Sequence, residues 1–227
     1  MNLKEVACRT EVIADTLFRK EYDCMIRNVI FDMGGVLIRF DRAYFIRRLG
    51  VDAADGLLLM NEVFRSLEWA RLDRGSITES DAISNICNRM PGRLHGAVKE
   101  LVTDWERPIH PIEGMYELVR ELKENGYGIY LLSNASVRQH EYWPDIPVST
   151  FFDGKLISAD VNLVKPQPEI YSLLCSTFSL SPRECFMIDD TPQNIEGAFE
   201  ADLSGCVFND NVQDLRTAMK QMGVHIK

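Results

Sequence analysis

The stretch Ile26-Arg27-Asn28-Val29-Ile30-Phe31-Asp32-Met33-Gly34-Gly35-Val36 decides how the rest of the chain reads. Its first half is an apolar run of strand length, and it stops at a carboxylate followed by two glycines. Four further runs of the same kind come later: Gly128-Ile129-Tyr130-Leu131-Leu132, Lys155-Leu156-Ile157-Ser158, Cys185-Phe186-Met187-Ile188 and Ser204-Gly205-Cys206-Val207-Phe208. Helical patterns separate or succeed them over residues 112–125, 168–178, 192–200 and 214–222. Short buried strands alternating with amphipathic helices predict a parallel sheet covered on both faces. The expected fold class is therefore a doubly wound, three-layer, Rossmann-like α/β domain.

One long interval breaks the alternation. Between the first strand and the helix at 112 lie about seventy residues without a strand signal, reading instead as helices over 44–49, 57–71, 78–90 and 93–106. Thr78 with Asp81 three residues on is a helix start. A structureless loop of that length is improbable in a compact domain, so an inserted all-helical cap is expected over 42–106. The core would then comprise 25–41 and 107–227. Residues 1–24 read as an appended segment with a helical pattern, placing Leu3, Val6, Ile13 and Leu17 on one face.

Composition narrows the function classes. The 25 basic residues against 34 acidic ones leave a net charge of −9, which argues against nucleic acid or an anionic membrane as the main partner. An acidic protein that takes a phosphorylated substrate must neutralise the phosphate locally. The six cysteines form no CxxC pair, so they predict reduced thiols in a cytoplasmic protein rather than a zinc or redox site. The N-terminus lacks a signal-peptide pattern, and no apolar run reaches the length of a membrane span.

Ligands of open parallel sheets bind beyond the carboxyl ends of the strands, so the residues at those ends matter most. Asp32-Met33-Gly34 comes after the first strand, Ser133-Asn134 after the second and Asp189-Asp190 after the fourth, and Lys165 lies between the third strand and the next helix. Singly, each has an ordinary structural explanation as a turn, a helix cap or a solvated loop residue. The adjacent carboxylates Asp189 and Asp190 are harder to explain that way, because they repel each other unless a cation or donors sit nearby. Together, FDMGGVL, LLSNAS, VKPQPEIY and MIDDTPQNIEGA resemble the four ordered motifs of the haloacid-dehalogenase-like hydrolase superfamily, from about Arg27 to the C-terminus. The place of the insert resembles the helical-cap subgroup, within which the chain is similar to bacterial sugar-phosphate phosphatases of the glucose-1-phosphate type.

The resemblance implies a Mg²⁺-dependent phosphatase for small phosphorylated metabolites, working through an aspartyl-phosphate. Asp32 would be the nucleophile. Asp32, the Gly34 carbonyl and Asp190 would hold Mg²⁺, with Asp189 a further ligand or positioning its water. Lys165 would offset negative charge, Ser133 and Asn134 would bind the phosphoryl group, and Asn194 would orient the aspartate loop. The chain departs from the pattern at Gly34, where most members carry a second aspartate that moves the proton. Asp41 is the nearest downstream carboxylate, although a capping role before Arg42 is its ordinary explanation. The missing acid also leaves open a phosphate- and Mg²⁺-binding module without turnover. A dehalogenase or phosphomutase of the same superfamily is a further alternative. Trp69, Trp105 and Trp143 read as core residues, and His95, His110, His140 and His225 form no ligand spacing.

Overall fold

The computed structural model describes residues 17–18 and 25–227. Six strands form one sheet in the order β1-β6-β5-β2-β3-β4. They are β1 (Leu17–Phe18), β2 (Asn28–Phe31), β3 (Gly128–Ser133), β4 (Gly154–Ile157), β5 (Cys185–Asp189) and β6 (Ser204–Val207). β2 to β6 are mutually parallel, and β1 pairs antiparallel with β6. The chain leaves β2 toward β3 and β4, then returns to lay β5 and β6 on the other side of β2. That reversal opens a crevice at the carboxyl ends of β2, β3 and β5.

Alternation along β2 explains the three layers. Val29 and Phe31 pack on one face with Leu118, Leu122 and Leu215, which come from α6 (Met115–Glu124) and α11 (Val212–Gln221). Ile30 packs on the other with Ile170, Leu174 and Ile195, from α9 (Pro168–Phe178) and α10 (Pro192–Glu200). All three β2 side chains are fully buried, which is why the run reads as continuously apolar.

The interval after β2 is helical: α1 (Arg42–Arg48), α2 (Ala53–Leu59), α3 (Leu67–Asp73), α4 (Glu79–Cys87) and α5 (His95–Thr103). Where one helix was expected over 57–71, α2 runs into a π turn at Met60–Phe64 and the chain breaks before α3. The break is set by Ser66, whose hydroxyl accepts a hydrogen bond from the Trp69 amide at 3.1 Å and restarts the helix. Thr78 caps α4 as its spacing predicts, taking the Asp81 amide at 3.1 Å. Between β3 and β4 lie α7 (Gln139–Tyr142) and short 3₁₀ turns, and α8 (Ser158–Val161) directly succeeds β4.

The helix expected within residues 1–24 lies outside the described residues except at Leu17–Phe18, where it is corrected. These two residues are extended, registering Leu17 with Cys206 and Phe18 with Gly205. The backbone groups on that side of β6 would otherwise be an open sheet edge, and a paired strand satisfies them. The four described cysteines, Cys87, Cys175, Cys185 and Cys206, are free thiols. Among the described residues no helix is long and apolar enough to cross a membrane.

Candidate active site

Asp32 is the first residue past β2, and its amide donates to the Ile188 carbonyl of neighbouring β5 at 2.9 Å. That bond places it beside Asp189, the last residue of β5, and Asp190. Carboxylate oxygens of Asp32, Asp189 and Asp190 lie within 4.8 Å of one another. Three anions so close require a cation, and the chain supplies one in Lys165. Its ammonium has no solvent exposure and bridges Asp32 Oδ1 at 2.9 Å and Asp189 Oδ2 at 2.5 Å. Burial opposes that charge, yet Asp189 and Asp32 hold the lysine above its ordinary value.

The carboxylates differ in how they are satisfied. Asp189 accepts from Lys165, from the Asn194 side-chain amide at 2.9 and 3.0 Å to its two oxygens, and from the Thr191 backbone amide at 2.9 Å. Both its oxygens are engaged by protein donors. Among the described residues the Asp190 carboxylate accepts one side-chain hydrogen bond, from the Thr191 hydroxyl at 3.3 Å. Burial, then the charge on Asp189, push the Asp190 carboxyl above its ordinary value. Burial likewise raises Asp32 from 3.8 to about 7 against the opposing pull of Lys165.

Gly35 fits this cluster for two reasons. Its φ of +78° lies in the left-handed region, and a Cβ there would come within 2.1 Å of Asp190 Oδ2. Gly35→Ala is expected to cost about 1–3 kcal/mol in stability from backbone strain. By displacing Asp190, one of the expected Mg²⁺ ligands, it should also weaken Mg²⁺ binding roughly tenfold or more. Calorimetric titration of Mg²⁺ checks this, and undiminished affinity would contradict the packing. At Gly34 a Cβ would make ordinary van der Waals contact with Phe40 Cβ at 3.4 Å.

The remaining expected residues split into two groups. Ser133 ends β3, is buried, and lines the same cavity as Asp32, Gly34, Lys165 and Asp190. Asn134 also lines it, but its side-chain amide is taken by the Lys165 backbone, accepting from the N–H at 2.8 Å and donating to the carbonyl at 3.0 Å. It is a clamp on the lysine loop. Asn194 holds Asp189 as its spacing implied, and its own carbonyl accepts from the Tyr171 hydroxyl at 2.6 Å. Asp41 caps α1, accepting from the Tyr44 amide at 3.0 Å, and is not a lining residue.

The cavity holds about 420 Å³ and lies between these strand ends and the inserted helices. Trp143 is core, but Trp69 and Trp105 line the cavity with Phe40, which corrects their reading as core residues alone. Helical periodicity places an aromatic on an apolar face without saying whether that face meets a core or a cavity. Polar lining residues that sequence reasoning missed include Arg42, Asp73 and Gln193. Only the seating of the inserted helices over the sheet brings the first two to the site. The histidines stay apart from it, with His110 on the Tyr44 hydroxyl, His95 on the Met90 carbonyl and His140 between Asp160 and Lys155.

The sheet thus carries a lysine-bridged carboxylate cluster at its switch point, beneath the helical insert, with oxygen atoms that could hold a metal ion. The chain belongs to the haloacid dehalogenase-like hydrolase family, which it matches over residues 26–202. It is 27% identical over 191 residues to a sesquiterpene phosphatase of Aspergillus oryzae, covering 81% of this chain and 90% of that one. It is 25% identical over 185 residues to a D-ribitol-5-phosphate phosphatase of Bacteroides thetaiotaomicron, covering 75% and 86%. Among solved structures, a HAD-like hydrolase of Porphyromonas gingivalis superposes with a TM-score of 0.67 at 21% identity, covering 88% and 98% of the two chains. A HAD family enzyme of Bacteroides thetaiotaomicron, in complex with magnesium and inorganic phosphate, superposes at 0.60 with 23% identity, covering 82% and 96%.

Proposed function

We propose that this phosphoric monoester hydrolase cleaves small phosphorylated metabolites by transferring the phosphoryl group to Asp32. The observation that carries the reading is Lys165, fully buried and bridging Asp32 and Asp189 beside the open carboxylate of Asp190. Burying an ammonium is costly unless it is paired, so its place implies that concentrated negative charge is handled there. Residues 42–106 are read as the cap over a core of 25–41 and 107–227. The cavity between them then shields the first step from water.

Each group has a distinct task in this reading. Asp32 attacks phosphorus while Lys165 offsets the charge gathered on the phosphoryl oxygens. Ser133, whose hydroxyl has no hydrogen-bond partner among the described residues, donates to a phosphoryl oxygen. Asn134 and Asn194 position Lys165 and Asp189 rather than touching substrate. The donor set is all oxygen and anionic, which suits Mg²⁺. Asp32, Asp190 and the Gly34 carbonyl would hold it, with Asp189 aligning the loop. When bound, Mg²⁺ supplies Lewis-acid stabilisation of the transferring phosphoryl group.

Phosphate release from a panel of esters, with and without a chelator, tests the reading. Release should stop on chelation and return with Mg²⁺. Binding of Mg²⁺ and phosphate without turnover on any ester would favour the non-catalytic module instead. Sugar phosphates are one arm of that panel, glucose 1-phosphate and ribitol 5-phosphate among them. The aromatic wall of Phe40, Trp69 and Trp105 favours a second arm of esters with a flat or apolar body, including flavin mononucleotide and prenyl monophosphates.

Arg42 is expected to act in substrate capture. It lines the cavity, lies 5.2 Å from the Phe40 ring centroid, and has no ion-pair partner among the described residues. Arg42→Ala should raise KM about tenfold and change kcat little, the effect of losing one charge-assisted contact at a half-open site. Initial-rate kinetics decide it, and an unchanged KM would remove Arg42 from the binding surface.

A further inference from the structure

Gly34 leaves the phosphoryl-transfer step without a proton donor two residues after the nucleophile. Three carboxylates line the cavity, those of Asp32, Asp190 and Asp73. Asp32 is the nucleophile and Asp190 belongs to the cation cluster, so Asp73 is the one without a task. Its carboxylate has no hydrogen-bond or ion-pair partner among the described residues. The other nearby acids are excluded by their contacts. Asp41 caps α1 on the outside, and buried Glu106 faces Arg138 at 3.3 Å without lining the cavity.

The chain also goes to some length to hold Asp73 in place. It is the last residue of α3, which ends in a Schellman motif: the Gly75 amide donates to the Leu72 carbonyl and the Ser76 amide to that of Arg71, both at 2.9 Å. Gly75 has φ +72° and sits so close to α8 that a Cβ would lie 2.1 Å from the Ala159 carbonyl oxygen. Fully buried Ser158 donates to the Asp73 carbonyl at 2.5 Å while accepting from the Ala135 amide at 2.9 Å. Asn162 donates to the Arg74 carbonyl at 2.9 Å. The end of α3 is thus latched onto the loops that carry Ser133 and Lys165.

The geometry points to Asp73, delivered by the helical insert, as the general acid and base that replaces the missing side chain at Gly34. This rests on the phosphatase reading above. Protonated Asp73 gives its proton to the bridging ester oxygen as the phosphorus–oxygen bond breaks and the bond to Asp32 forms, releasing the alcohol. The resulting Asp73 carboxylate then takes a proton from the water that attacks the phospho-aspartate, releasing inorganic phosphate and restoring both residues. Burial, with the charge on Asp32 adding and Arg42 opposing, raises the Asp73 carboxyl from 3.8 to about 7, so a protonated fraction exists at neutral pH. Tyr142 also lines the cavity, but burial holds its hydroxyl well above the ordinary tyrosine range, so it keeps its proton.

The test compares benzyl phosphate with 4-nitrophenyl phosphate, two esters of similar shape. Benzyl alcohol leaves poorly without a proton, whereas 4-nitrophenolate leaves as the anion. The quantity read is kcat/KM, which covers the steps through departure of the leaving group and not the later hydrolysis. In Asp73→Asn the benzyl ester should lose about a hundredfold or more, the usual worth of general acid catalysis. The ratio of nitrophenyl to benzyl kcat/KM should rise in proportion, and Asp73→Glu should restore part of it. Turnover of the nitrophenyl ester reports that the variant is folded. An equal loss on both esters with an unchanged melting curve, or no loss on the benzyl ester, overturns the assignment while leaving the phosphatase reading intact. A natural enzyme that releases phosphate from neither ester, nor from the metabolite panel, overturns both.

Discussion

Asp32→Asn is expected to lower turnover by roughly four to six orders of magnitude, the size of effect seen when a covalent nucleophile is removed. An amide oxygen is too weak a nucleophile to displace an alkoxide from phosphorus, and no other lining carboxylate adjoins Lys165 at 2.9 Å. The fold should survive the change, because in the metal-free protein the ionised Asp32 is itself a burden. Its pKa rises from 3.8 unfolded to about 7 folded, chiefly by burial. Its favourable contribution is therefore complete below pH 3.8 and lost as pH climbs through about 7. The asparagine has no such loss, so metal-free melting curves should flatten between about pH 4 and 7 in the variant. Mg²⁺-dependent turnover within a hundredfold of the natural enzyme would remove Asp32 from the nucleophile's role.

Lys165→Met should be the most damaging change to stability within the site. Methionine fills the volume but leaves Asp32, Asp189 and Asp190 facing one another without the buried cation. Removing one partner of a buried ion pair costs about 3–5 kcal/mol, and here two carboxylates lose the same partner. Turnover should fall about a hundred- to thousandfold as well, since a donor to the developing phosphoryl charge goes with it. Without the lysine the carboxyls of Asp32 and Asp190 rise further above their ordinary values, so the deficit should shrink as pH falls below 7 and those two acids protonate. Mg²⁺ should recover part of the lost stability at pH 8. Urea unfolding with and without Mg²⁺ at the two pH values measures both effects. A variant as stable as the natural protein at pH 8 without metal would contradict the ion-pair account.

How much of the site was legible depended on where each residue stands relative to a strand end. Asp32, Ser133, Lys165, Asp189 and Asp190 are read from sequence because parallel strands deliver the residues at and beyond their carboxyl ends to one rim. Asn194 is legible from its place just inside the helix after Asp189-Asp190. Asn134 was legible as a neighbour of the site but not as a clamp, since its partner Lys165 is thirty-one residues away. Asp73 and Arg42 gave no local signal at all. An acid at a helix end and an arginine in a first turn are ordinary surface chemistry until the insert is folded back over the sheet.

The same division runs through the fold. Hydrophobic runs and their spacing determine the strands and most helices, because burial on both faces requires continuous apolar residues and burial on one face requires a 3.6-residue period. Those local patterns carry the sheet class, the helical insert and the rim of polar residues at the strand ends. Tertiary structure alone decided that Leu17–Phe18 pair with β6, that Trp69 and Trp105 meet a cavity, and that Asp73 reaches Asp32's neighbourhood. Each of these depends on which surfaces meet across long sequence separations. Periodicity fixes which face of an element is buried, but what lies against that face is settled only when the layers pack.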